Sequence, residues 1–377
     1  MIPCQRHLFD LPREVAYLNC AYMSPLMHRV VEAGQRGMAL KARPWEIAPP
    51  DFFARPERAR ALFAEIIGAD AEGVALIPSA SYGIALAAAN LRPGAGRRIL
   101  LIEDQFPSNV HVWRRLARES GAEIVTVRRP PDGDLTRAVL GEIDERTALL
   151  AAAQCRWTDG ALIDLDRVAP ALHEVGAALV LDLTQSAGAM RYDAARIDAD
   201  FVIAATYKWL LGSYSMGFVH IAPRHRDGRP LEETWMGREG AEDFARLVDY
   251  RDGYRPGARR FDVGEVANFA LLPATIAALE QILDWGVERI EATLAARVAT
   301  IAERAAGLGF RVSDPALRAG HFLGLGFPGP VPAGLPERLA AERVHVSLRG
   351  SSLRVTPHLY NDDADTERLI EVLAAAI

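Results

Sequence analysis

The stretch "FVIAATYKWLLGSYSMGFVHI" (Phe201 to Ile221) has Lys208 as its one Lys, Arg, Asp or Glu. A lone ammonium in an apolar run is costly to bury and needs a chemical reason to be there. Twenty-six residues earlier, "ALVLDLTQSAG" (Ala178 to Gly188) ends an apolar strand pattern on Asp182. A lysine that desolvation holds near neutrality can attack an aldehyde. A carboxylate paired with a pyridine nitrogen keeps that ring protonated and electron-withdrawing. Lys208 and Asp182 together therefore point to pyridoxal 5'-phosphate, with the lysine as tether and the aspartate tuning the ring. Each alone has a plainer reading, Lys208 as a snorkelling residue at a helix start and Asp182 as a loop carboxylate or cap.

Working outward, residues 51 to 219 alternate helical periods with short apolar runs. "ERARALFAEIIGA", "SYGIALAAANL" and "VHVWRRLARES" read as helices, and "GVALIP", "RRILLIE" and "AEIVTV" as strands. That alternation predicts an α/β fold with a mostly parallel sheet covered on both faces. Ligands of such sheets lie off the carboxyl ends of the strands, where Asp182, Ser81 and Phe106 each follow an apolar run. "PSASYG" (Pro78 to Gly83) supplies small residues at a strand-to-helix junction, which suits a phosphate monoester. Ala80, through its amide, and Ser81 are the expected phosphate ligands, although an ordinary serine cap has the same pattern.

The Gly- and Arg-rich stretch Val248 to Glu265 reads as a linker. Two amphipathic helices follow, about 269–283 and 287–308, broken at Gly286. Then come strand-like "HFLGLGF", "VHVSL" and "LRVTP", and a last helix capped by Asn361 or Asp362. The expected division is an N-terminal segment (1–20), a large cofactor domain (21–260) and a smaller C-terminal α+β domain (261–377).

At 377 residues, half of them apolar, the chain has ample core for such a division. A net charge of −6 gives no basic field for nucleic acid or an anionic membrane, so the expected partner is a small molecule. The three cysteines are too few and too scattered for a disulfide framework or a zinc site, so no metal is expected. No signal core or membrane-length run is present in the sequence, and a cytoplasmic protein is expected. A nicotinamide-binding Rossmann enzyme would share the alternation, but no G-x-G-x-x-G follows the first strands.

"LDLTQSAGAMRYDAARIDADFVIAATYKWLLGSYSMGFVHI" (Leu181 to Ile221) resembles the core of the class V aminotransferase family of fold-type I pyridoxal-phosphate enzymes. That family includes kynureninases, cysteine desulfurases, isopenicillin N epimerase-like proteins and carbon–sulfur lyases. "YLNCAYMSPL" from Tyr17, "PSASYGIALAAANL" from Pro78, "EDQFPSNVHVW" from Glu103, "WTDGALIDL" from Trp157 and "LRVTPHLYND" from Leu353 follow in the family's order, over nearly the whole chain.

The resemblance implies further roles. Phe106 stacks on the pyridine ring as in the kynureninase-like branch, where desulfurases use histidine. Gln185 hydrogen-bonds the phenolic oxygen, Thr158 lies near the ring, and Tyr207 contributes a phosphate-binding hydroxyl. Arg354 binds the substrate α-carboxylate, with Arg349 a weaker candidate. The resemblance also implies a homodimer with a shared site. Many relatives send a linker threonine to the neighbour's phosphate, whereas Gly264 is followed here by Glu265, which cannot donate unless protonated; Asn268 is the alternative donor. No cysteine precedes Arg354 in "ERVHVSLRGSSLRV", against a desulfurase with a protein nucleophile.

The implied chemistry acts on a small α-amino acid through an external aldimine and a Cα carbanion, with Lys208 as proton shuttle. Transamination is the leading expectation. Alternatives are a lyase (β-elimination at a carbon–sulfur bond or kynureninase-like cleavage), an epimerase, and a protein that binds the cofactor without turnover.

Overall fold

Four apolar runs, "TALLAA", "ALVLD", "FVIAA" and "GFVHI", form adjacent strands that are buried almost throughout, as the centre of a sheet covered on both faces requires. The computed structural model describes residues 1–376. Its elements in chain order are β1 (Ala16–Tyr17), α1 (His28–Leu40), α2 (Asp51–Ile66), β2 (Val74–Ile77), α3 (Ala80–Asn90), β3 (Arg98–Ile102), α4 (Ser108–Ser120) and β4 (Glu123–Val127). Next are α5 (Leu135–Leu140), β5 (Thr147–Ala152), α6 (Leu165–Glu174), β6 (Ala178–Asp182), α7 (Ala194–Ile197), β7 (Phe201–Ala205) and β8 (Gly217–Ile221). The remainder is α8 (Leu271–Trp285), α9 (Val287–Gly307), β9 (Arg311–Val312), β10 (Leu323–Gly326), α10 (Leu335–Ala341), β11 (Val344–His345), β12 (Ser347–Arg349), β13 (Ser352–Val355) and α11 (Asp363–Ala374).

The large sheet has the order β2-β8-β7-β6-β5-β3-β4, and β8 alone runs against its neighbours. This is the expected mostly parallel α/β sheet. Its apolar side chains divide between two buried clusters, one holding Leu76, Leu100, Leu150 and Leu181 and the other Ile77, Leu101, Ala151 and Val180. The period-2 alternation of each strand thus feeds both faces. A second, antiparallel sheet has the order β12-β13-β10-β9. Val298, Ile301 and Ala305 of α9 and Leu369 and Leu373 of α11 share its core.

The N-terminal segment is joined to this second region. β1 pairs in parallel with β11, and Ala16 and Leu18 are buried with the residues of the small sheet. α8 packs on α1 and α2, and Leu272, Ala278 and Ile282 belong to the core beneath the large sheet. Gly286 does break α8 from α9, at a φ of 78° that favours glycine. Asp362, and not Asn361, caps α11: it accepts from Asp365 N in a capping box, while Asn361 donates to Tyr17 O and Asp365. The single strand read in "VHVSL" is two, because Val344–His345 pairs with β1 whereas Ser347–Arg349 pairs with β13. Among the described residues no helix is long and apolar enough to cross a membrane.

Candidate active site

Ser81 at the start of α3 after β2, Phe106 in the loop after β3, Asp182 as the last residue of β6 and Lys208 in the loop after β7 all lie at the carboxyl ends of their strands. Lys208 is 8 % exposed. Burial draws its amine down from the ordinary 10.5 to about 8, with Asp182 pulling upward and Arg354 and Arg349 adding to the lowering. Its Nζ lies 5.7 Å from the Phe106 ring centroid and 5.5 Å from that of Tyr207.

The Lys208 loop is over-determined. Thr206 receives hydrogen bonds from Gly212 N and donates from its hydroxyl to Ser213 O at 2.6 Å, and its own amide reaches Met216 O. Leu211, fully buried, sits at a φ of 54°, strain that a non-glycine residue tolerates only when its surroundings hold it. On the other side Gly188 comes so close that a Cβ there would lie 2.8 Å from Trp209 O. A lysine mounted this way has little freedom to withdraw.

β6 and β7 lie side by side with Asp182 opposite Ile203. The Asp182 carboxylate accepts from Thr184 N at 2.9 Å, and Thr184 Oγ1 accepts from Ala205 N at 3.0 Å, so the aspartate loop is stitched to the lysine strand. Gln185 is buried, and its amide orientation is decided by Trp209. The indole N–H can only donate, so the atom 3.0 Å away is Gln185 Oε1, and Nε2 faces Ala21 O at 3.1 Å with its second hydrogen to spare. His321 Nε2 lies 2.7 Å from Gln185 O and its ring is edge-on to Trp209. Trp209 escaped the sequence reading although it adjoins Lys208. A donor-only ring beside a buried amide was the available signal.

Ser79 caps α3 and accepts from Tyr82 N. Ser81, the second residue of α3, is exposed and donates to Ser108 Oγ at 2.9 Å, which brings together the N-termini of α3 and α4. Ser108 was not foreseen. Ala80 begins α3. Tyr207 is half-buried against Tyr214 at 4.6 Å, and burial pushes its phenol up. Thr158 accepts from Arg156 Nε at 2.6 Å, in a network with Asp159.

Arg354 is 2 % exposed. Its Nη1 donates to Trp157 O at 3.0 Å, Nη2 lies 3.4 Å from Ser347 Oγ, and Nε has no partner. Among the described residues no carboxylate pairs with it, and burial, reinforced by Arg349, draws the guanidinium down to about 10. Trp157 also packs edge-to-face on Phe106 at 5.4 Å. Glu265 is exposed at a φ of 58°. Asn268 Oδ1 accepts from Ala270 N and Leu271 N at the start of α8. Cys20 and Cys155 are buried, and burial pushes both thiols up, away from nucleophilic use.

The family model described as aminotransferase class-V matches residues 25–355. A kynureninase from Deinococcus radiodurans is 32 % identical over 286 residues, covering 72 % of this chain and 67 % of that protein. An isopenicillin N epimerase from Streptomyces clavuligerus is 27 % identical over 87 % of each chain. Among solved structures, the apo cysteine desulfurase from Thermococcus onnurineus NA1 superposes with a TM-score of 0.85 at 21 % identity, over 100 % of this chain and 98 % of that one. That likeness is one of fold.

Proposed function

Because the chain belongs to the class V aminotransferase family, whose model covers most of its length, we propose that it removes the Cα proton of a small α-amino acid, with transamination as the outcome. It is a pyridoxal-phosphate-dependent enzyme, and the residues present suit that cofactor. A buried lysine with a near-neutral amine, a carboxylate at the neighbouring strand end, paired helix N-termini bearing Ser81 and Ser108, and a clamped Gln185 amide answer respectively to an aldehyde, a pyridine nitrogen, a phosphate and a phenolic oxygen. When bound, the cofactor supplies an electron sink for charge developing at Cα.

The observation that carries the reading is Arg354, a buried guanidinium with no carboxylate partner among the described residues, together with Lys208, which feels its charge. Such an arginine would take a substrate carboxylate in a bidentate grip and fix Cα against the lysine. Lys208, its amine titrating near 8, would in its free form take the proton and return it elsewhere. Thr158 and Tyr207 would border the cofactor, Ala80 and Ser81 would hold its phosphate, and Phe106 would cover its ring.

A second reading, cleavage within the side chain as in the kynureninase relative, draws support from the Phe106–Trp157 aromatic wall and from the 32 % identity. A homodimer in the cytoplasm completes the proposal. The exposed aromatics Tyr214 (61 %), packed on Tyr207, and Tyr22 (56 %), two residues before Ser24, whose amide donates to Tyr207 O, support a partner surface there.

The test incubates purified protein with single amino acids, with and without pyruvate. Transamination gives one oxoacid and one alanine per amino acid consumed. Ammonia, a β-cleaved fragment or inverted stereochemistry without amino transfer would replace it with a lyase or an epimerase, and no reaction with any amino acid would refute the proposal as a whole.

A further inference from the structure

The site has one cation more than a neutral amino acid would use. If the proposed function holds, Lys208 serves the cofactor, Asp182 faces the ring nitrogen and Arg354 takes the α-carboxylate. Arg349 is then left over. It ends β12, and across the β12–β13 hairpin Ser347 stands opposite Arg354 and Arg349 opposite Ser352, so one turn carries both guanidiniums.

Both converge on Trp157. Arg354 donates to its carbonyl, while Arg349 Cζ lies 5.8 Å from the indole centroid, a cation held over a ring. Arg349 is half-buried, spends Nη1 on Leu348 O at 2.8 Å, and leaves a buried Nε without a partner. The acids near Trp157 are engaged elsewhere. Asp159 accepts from Arg129 at 2.6 Å and lies 3.3 Å from Arg156, and Asp104 lies 3.8 Å from the same Arg156. The Arg349 charge is felt at both Lys208 and Arg354, which places it within electrostatic reach of the reacting end.

We propose that Arg349 is a specificity-determining residue that binds a carboxylate on the substrate side chain, making the preferred substrate an acidic amino acid of the aspartate or glutamate kind. This rests on the amino-acid reading above. A fixed pair of guanidiniums on one hairpin discriminates by charge and by span, since an amide isostere offers the same shape but no negative charge to the second arginine.

Dissociation constants of the holoenzyme for L-aspartate against L-asparagine, and L-glutamate against L-glutamine, are read from the change in cofactor absorbance. The intact protein prefers at least one acid over its amide by roughly tenfold or more, the size of a charge-assisted hydrogen bond. In Arg349→Gln that preference ratio collapses toward one. In Arg349→Glu it turns toward lysine and ornithine, a gain that a misfolded variant would not show. An acid-to-amide ratio near one in the intact protein, or a ratio that survives Arg349→Gln, overturns the inference and leaves the function standing. Absence of any response to any amino acid takes both down.

Discussion

The amine of Lys208 sets a pH scale that separates the proposed site from an ordinary surface lysine. With its titration drawn from 10.5 to about 8, roughly one amine in ten is free at pH 7, against about one in three thousand for an unperturbed lysine. Capture of pyridoxal phosphate by the cofactor-free protein requires the free amine. The initial rate therefore rises about tenfold per pH unit below 8 and levels above it. Borohydride reduction followed by peptide mapping should place the pyridoxyl group on Lys208. The neighbours give the direction of each variant: Arg354→Gln removes a charge that lowers the titration and moves the break to higher pH, whereas Asp182→Asn removes one that raises it and moves the break lower. Folding of the cofactor-free protein carries the same signature. Between about 8 and 10.5 the unfolded chain holds a proton that the folded lysine has given up, so stability grows with pH across that window. Below about 8 the full burial penalty, on the order of 3 kcal/mol, is present. A capture rate that climbs without a break through pH 10, a label on another lysine, or variants that shift in the opposite sense would refute the assignment.

Asp182→Asn should retain cofactor yet lose most turnover, since an amide cannot hold a proton on the ring; near-normal turnover removes Asp182 from the chemistry. Arg60 and Asp262 form a fully buried bidentate pair, with Nη2 to Oδ2 at 2.8 Å, and Asp262 also accepts from Leu76 N. Asp262→Ala removes the bidentate partner of the buried Arg60 guanidinium, leaving it Glu57 at 3.5 Å and the Val74 carbonyl, and should cost about 3 kcal/mol in denaturant unfolding, with a loss below 1 kcal/mol refuting the pair's anchoring of the linker. Asn268→Ala should cost about 1 kcal/mol as a lost helix cap. If its cofactor affinity is unchanged, Asn268 is not the donor that replaces the linker threonine. Light scattering at assay concentration should give a dimer, and active monomers would contradict a shared site.

What could be read in the chain was local anomaly. Lys208 in an apolar run and Asp182 at the end of one are conspicuous because the surrounding pattern makes a charge improbable there, and the same pattern yields the parallel strands that bring them together. Pairings between distant segments leave no such mark. "VHVSL" alternates correctly for a strand but carries nothing to say that its first half adds to β1 and its second to β13. Trp209 adjoins Lys208, yet its use follows from Gln185, 24 positions away, and the burial of Arg354 follows from the carbonyl of Trp157, 197 positions away. The same division runs through the chemistry. Lys208 and Asp182, which are legible, are the residues proposed to serve the cofactor itself. The proposed choice of substrate rests on Trp157, Arg349 and Arg354, where a hairpin of the small sheet meets a loop of the large one. On that proposal specificity depends on how the two sheets meet, and a change that shifts the β12–β13 hairpin should alter which amino acid binds while leaving the titration of the lysine governed chiefly by its burial.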